Sequence, residues 1–161
     1  MVVKDIDAVY NINHMNEIQT NSNNGGVDNV NGQAADTLTG KKILLVEDDT
    51  FLASILRSRL TSRNVQLSVA KNGEEAIATL AGSSFDAVLL DVLLPGMSGF
   101  EVLQIIRTTP EIKDVPVTVI SNYSQVKDRE KAESMNADFL VKALVNPDDI
   151  LAQVEKMVAG K

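Results

Sequence analysis

The chain has 161 residues, 44% of them hydrophobic, a formal net charge of −7 and no cysteine. That length holds one ordinary domain with room for a tail. The acidic balance argues against nucleic acid or an anionic membrane surface as the main partner, and the lack of cysteine excludes disulfides and thiolate metal sites.

Residues 1–40 hold eight asparagines, five acids and one base. Such a stretch buries too little apolar surface to offset the entropy of ordering it, so an Asn-rich disordered tail is expected over 1–40. Within it Ile6, Val9, Ile12 and Met15 fall three apart, compatible with a short helix before Thr20, and His14, the single histidine, reads as solvated. The opening MVVKDIDAVYNINHMNE lacks the apolar core of a secretory signal, and no apolar run is long enough to span a bilayer. A cytoplasmic location is therefore expected.

From Lys41 the pattern alternates between strands and helices, and a domain is expected over 41–159. Ile43–Val46 is a short apolar run suited to a strand buried on both faces. Helical spacing follows in Leu52, Ile55, Leu56 and Leu60. Val65, Leu67 and Val69 alternate with polar residues, as in a half-exposed edge strand. Asn72 with Glu75 three residues on marks a helix start before Ile77 and Leu80.

The second half repeats the rhythm. Ala87–Leu90 predicts another buried strand, ending on Asp91. Ser98 and Glu101 form a capping-box signature for a helix through Leu103 and Ile106. Residues 115–120 predict a strand with Pro116 near its start, where a missing donor is tolerated. A polar helix is expected over Ser124–Met135, with charged residues 127–133 on its exposed face. A short strand at 139–141 follows. Asn146 and Pro147 then open a last helix, with Ile150, Val154, Met157 and Val158 on one face. Five β–α units in a row predict an α/β fold, a doubly wound five-stranded parallel sheet with helices on both faces. Ligands bind such sheets at the carboxyl ends of the strands, where strand order reverses.

Those ends carry Glu47, Asp48 and Asp49 after the first strand, Asp91 after the third, Ser121 after the fourth and Lys142 after the fifth. Like charges a few ångströms apart repel by roughly 1 kcal/mol in water and about 4 kcal/mol at an intermediate dielectric, so such a cluster calls for a cation. Oxygen ligands without His or Cys favour a hard ion, and Mg²⁺ fits best. Asp49 reads instead as the cap of the first helix. A metal and a lysine facing one carboxylate supply the charge neutralisation and positioning that phosphoryl transfer needs, and the Ser121 hydroxyl offers a further hydrogen bond.

The order V-E-D-D at 46–49, D-x-x-x-P-x-x-x-G from Asp91 to Gly99, the hydroxyl of Ser121 and D-F-L-V-K ending at Lys142 resembles the receiver domain of two-component response regulators. The resemblance covers about residues 41–159. It implies a flavodoxin-like sheet of order 2-1-3-4-5, with Asp91 as phosphoacceptor from a histidine kinase or histidine phosphotransfer protein. Asp48 and Asp91 would ligate Mg²⁺ (or Mn²⁺), Glu47 would do so through water, and the Leu93 carbonyl would add a ligand. Lys142 would pair with Asp91 and then with the phosphoryl group. Ser121 and Phe139 would move inward, changing the surface of the fourth helix, fifth strand and fifth helix.

Two departures stand out. Ala143 follows the lysine where the family usually has proline. A cis bond without proline costs about 3 kcal/mol, so trans geometry is expected there. Asn122 and Tyr123 follow Ser121 where the family favours a small residue, and with Leu93 they are expected to tune the lifetime of the acyl phosphate.

Rival readings fare worse. A phosphatase of the haloacid-dehalogenase type needs an acid two residues after the nucleophile, where this chain has Leu93. A flavin-binding domain needs backbone donors facing the phosphate after the first strand, and GluAspAsp would repel it. A binding module independent of phosphorylation would have no need of the complete acid, hydroxyl and lysine set. The sequence ends near where the fifth helix of a receiver should stop, so a stand-alone, non-enzymatic switch acting through a downstream target protein or a phosphorelay is expected, without direct nucleic-acid binding or membrane insertion.

Overall fold

The computed structural model describes residues 36–122 and 125–160; the expected tail as far as residue 35, His14 within it, and Tyr123 and Ser124 lie outside them. The elements alternate as the sequence predicts: β1 (Lys42–Val46), α1 (Thr50–Thr61), β2 (Gln66–Ala70), α2 (Gly73–Gly82), β3 (Ala87–Asp91), α3 (Gly99–Thr108), β4 (Val117–Ser121), α4 (Val126–Ser134), β5 (Asp138–Val141) and α5 (Pro147–Ala159). A 3-10 turn over Lys142–Leu144, not foreseen from sequence, links β5 to the loop before α5. Among the described residues no helix is long and apolar enough to cross a membrane.

The five strands are parallel, in the order β2-β1-β3-β4-β5, a flavodoxin-like doubly wound sheet. Strand order reverses between β1 and β3, which places the crevice for a ligand at their carboxyl ends. β2 lies at an edge, as its half-polar alternation predicts. β4 begins at Val117 rather than Val115. Pro116 has no N–H to give, and its carbonyl alone joins the sheet, accepting from Val88 N–H at 2.9 Å.

Alternate strand residues feed two cores, because successive side chains point to opposite faces. Leu44, Val46, Val88, Leu90, Val117, Val119 and Phe139 pack with α2, α3 and Ala132 of α4. Ile43, Leu45, Ala87, Leu89 and Ile120 pack with α1 and α5. Full burial of each of the larger of these side chains, from valine to phenylalanine, is worth about 1.5–3 kcal/mol.

Helix starts follow the predicted caps. Ser98 with Glu101, and Asn146 with Asp149, form complete capping boxes. At α2 Asn72 accepts from Glu75 N–H, but the Glu75 carboxylate reaches Lys71 N–H at 2.8 Å, one residue before the cap.

The ordered domain reaches further upstream than Lys41. Residues 36–40, assigned to the tail on composition, fold as a turn in which Leu38 is fully buried against α1 and α5. Arg63, just past α1, binds Asp36 through two nitrogens (2.5 and 2.9 Å) and Glu155 of α5 at 2.8 Å. One apolar residue and one acid in a polar stretch leave no periodicity to read, which is why composition misplaced the boundary.

Leu38→Ala is expected to lower the unfolding free energy by about 2–5 kcal/mol in urea titrations, as for other buried leucines. Arg63 holds the Asp36 carboxyl below its ordinary value of 3.8. The contribution of that contact is therefore present above this value and lost as pH falls through the lower folded one. Asp36→Asn should flatten this part of the acid limb.

Candidate functional site

β1 ends at Val46, and Glu47 extends it by donating its N–H to Ala70 O at 2.9 Å. That step carries the Glu47 side chain into the sheet's carboxyl edge, where it is 2% exposed. Asp48 comes next and is exposed. Asp49 turns to α1 as expected, its Oδ1 accepting from Phe51 N–H (2.8 Å) and Leu52 N–H (3.1 Å). Its charge thereby serves the helix N-terminus. Asp91, the last residue of β3, is 3% exposed, and Ser121, the last of β4, is 1% exposed.

Lys142 follows β5 directly. Its Nζ lies 2.7 Å from Asp91 Oδ2 and 2.7 Å from Glu47 Oε2. Carboxylate oxygens of Glu47, Asp48 and Asp91 lie within 4.8 Å of one another. The second oxygen of each buried acid is also engaged: Glu47 Oε1 accepts from Asp49 N–H and Asp91 Oδ1 from Leu93 N–H, both at 3.2 Å. These groups border a cleft of about 330 Å³, to which Leu93 and Asn122 also contribute.

Burial pushes the Glu47 carboxyl above its ordinary value; the Lys142 hydrogen bond opposes this and the Asp91 charge adds to it. For Lys142 burial favours the neutral amine, but the hydrogen bonds and charges of Asp91 and Glu47 outweigh it and raise its pKa. The ammonium thus stays charged throughout the neutral range. Three carboxylates against one ammonium leave the cluster net negative. An oxygen-only set of this kind suits a hard divalent cation such as Mg²⁺.

The loop after β3 is shaped by two glycines. Gly96 takes φ of 78°, the left-handed region that favours glycine. Gly99 packs so closely that a methyl there would overlap the carbonyl oxygen of Asp91. Its N–H donates to Val92 O at 3.0 Å, folding the loop back beside the acid. The spacing from Asp91 to Gly99 thus has a steric origin.

The structure brings Glu47, Asp48, Asp91, Leu93, Asn122 and Lys142 to one cleft, with Ser121 at the adjoining strand end. Leu93 is 51% exposed at the rim. Tyr123 lies outside the described residues. Phe139 does not reach the cleft. Its ring is 5% exposed within the core, beneath the Arg129 guanidinium. Among the described residues there is no cis peptide bond, so Ala143 follows Lys142 in trans as expected. Strand order brings Glu47 and Lys142 to the same edge, but the direct ion pair between them was not foreseen, since Lys142 was expected to pair with Asp91.

A flavodoxin-like sheet with two buried acids and a lysine at its switch point defines a class of acidic-pocket α/β domains. The description "Response regulator receiver domain" matches residues 43–155. Among curated relatives, the transcriptional regulatory protein TcrA of Mycobacterium tuberculosis is 31% identical over 126 residues, covering 78% of this chain and 49% of the relative. The response regulator PleD of Caulobacter vibrioides is 34% identical over 111 residues, covering 68% of this chain and 24% of the relative. The structure of the phosphorylated cyanobacterial phytochrome response regulator RcpA is 26% identical with a TM-score of 0.64, covering 74% of this chain and 91% of that one. The chain belongs to the response regulator receiver domain family of two-component signalling. It spans half or less of the length of these two curated relatives.

Gly99→Ala is expected to destabilise the fold by about 1–3 kcal/mol, since the overlapping group is backbone and not a yielding side chain. The loss should appear in urea titration. It should be accompanied by amide chemical-shift changes at Asp91 and Val92, whereas Gly82→Ala, which meets open space, should shift neither.

Proposed function

We propose that this domain is a phosphoryl-accepting signalling switch. Asp91 takes the group from a phosphohistidine on a histidine kinase or histidine phosphotransfer protein. The carboxylate–phosphorus bond forms as the donor's nitrogen–phosphorus bond breaks, and the electron pair returns to the imidazole. The observation that carries this reading is Asp91 itself: 3% exposed, 2.7 Å from Lys142, and grouped with two further carboxylates. The phosphorylated form captured for the relative RcpA supports it.

Asp48 and Asp91 would hold Mg²⁺, or Mn²⁺, directly, with Glu47 acting through water and Leu93 through its carbonyl. When bound, the ion supplies positive charge that offsets both the carboxylates and the phosphoryl oxygens. Lys142, already in place, exchanges part of its contact with Asp91 for a phosphoryl oxygen, while its bond to Glu47 keeps the ammonium from leaving. Ser121 donates its hydroxyl to another oxygen, and the α4–β5–α5 surface changes in consequence. That surface engages a target protein, or the phosphoryl group passes onward in a relay. Leu93 and Asn122 border the approach to Asp91 and, together with Tyr123, set how fast water reaches the acyl phosphate. The domain takes part in its own phosphorylation and dephosphorylation; its place is the cytoplasm.

Incubation with acetyl phosphate and Mg²⁺ is expected to add one phosphoryl mass to the wild-type chain. The adduct should be absent with a chelator and absent in Asp91→Asn. An equal adduct in Asp91→Asn, or none in wild type under conditions where Mg²⁺ binding is measured separately, would overturn the reading.

A further inference from the structure

Asp49 gives only half of its carboxylate to the cap of α1. Oδ1 takes both hydrogen bonds, from Phe51 N–H at 2.8 Å and from Leu52 N–H at 3.1 Å. Among the described residues no hydrogen bond or ion pair reaches Oδ2. The cap requires neither the second oxygen nor the charge, since Asn and Ser cap helices about as well as Asp does. Asp49 nevertheless borders the same cleft as Glu47, Asp48 and Asp91. Its backbone is tied into that site too, for its N–H donates to Glu47 Oε1 at 3.2 Å.

The buried carboxylates have less to spare. Glu47 spends one oxygen on Lys142, at 2.7 Å, and the other on the Asp49 N–H. Asp91 spends its two on Lys142 and on Leu93 N–H. Mg²⁺ demands a near-octahedral shell and gives up its waters reluctantly. Asp48, Asp91 and the Leu93 carbonyl would fill about half of that shell, so waters complete it and need acceptors. Groups that hold such waters tune affinity although they never touch the ion. Asp49 is not among the three acids whose oxygens lie within 4.8 Å of one another, which suits a partner acting through water rather than a ligand. We propose that Asp49 is a positioning residue for the metal: Oδ1 caps α1, while Oδ2 accepts a hydrogen bond from a water on the ion. The assignment rests on the metal site proposed above.

Calorimetric titration of the full chain with Mg²⁺ tests it, beside urea unfolding of the same proteins. Asp49→Asn and Asp49→Ser both keep a capping oxygen. Each should weaken Mg²⁺ binding by about tenfold, the low end for an outer-shell partner, while the urea midpoint stays close to that of wild type. Glu74→Gln is the control for charge alone. Glu74 is an exposed acid at the start of α2, lies over the loop at Gly96 and does not border the cleft. Its replacement should leave Mg²⁺ affinity nearly unchanged, because solvent and salt screen an exposed charge.

Wild-type affinity in both Asp49 variants overturns the role of Asp49 and leaves the metal site standing. An equal loss in Glu74→Gln overturns it as well, since net charge then accounts for the effect. A loss confined to a variant whose urea midpoint also falls belongs to the cap of α1 and overturns it too. No Mg²⁺ binding by wild type overturns the metal site itself, and the role of Asp49 with it.

Discussion

A single ammonium lies between two buried carboxylates, 2.7 Å from each, and the rest of the structure serves to put it there. The three groups come from the ends of three different strands, β1, β3 and β5, which only a parallel sheet brings to one edge. Two acids buried without a cation would each carry a desolvation penalty of several kcal/mol, which a nearby opposite charge must offset. Lys142 answers part of that charge. Asp48, exposed beside them, adds a third carboxylate and leaves the cluster negative, so the pocket is incomplete as chemistry without a further cation.

The sheet's two faces are built to different standards. On one, α1 and α5 cover a continuous apolar layer, closed at its lower end by Leu38 and by Arg63 between Asp36 and Glu155. On the other, α2 and α3 pack as firmly, but α4 adds one buried alanine and two cations over aromatic rings. α4 thus buries less apolar surface than α1 and α5 do on the other face. The Ser121–Val141 pair closes the β4–β5 ladder, and Phe139 of the same β5 strand lies beneath Arg129 of α4.

Much of this was legible in the sequence because the fold's signals are local. Buried runs such as Ala87–Leu90, the box at Ser98, the Asn146 cap with Pro147, and the edge alternation of β2 each declare an element on their own. Strand ends then predict the pocket, since parallel order alone brings Glu47, Asp91 and Lys142 together. What escaped notice depends on distant partners. Leu38 is one leucine in a polar stretch, and its burial needs α1 and α5 to exist. Arg107 gives four hydrogen bonds to carbonyls of Lys113, Val115, Met135 and Asn136, and carbonyls leave no mark in a sequence. Phe139 could be read either as a ring that turns inward on activation or simply as core, and here it packs in the core with Arg129 above it.

The central claim is that Lys142, kept in place by Glu47, serves the group carried on Asp91. A crystal structure of the domain soaked with Mg²⁺ and beryllofluoride, a stable mimic of an acyl phosphate, tests it most directly. The account predicts beryllofluoride on the Asp91 carboxylate, Lys142 Nζ within hydrogen-bonding distance of a fluorine, and the Lys142–Glu47 contact retained. Beryllofluoride absent from Asp91, or Lys142 turned to solvent while the mimic is bound, would contradict it.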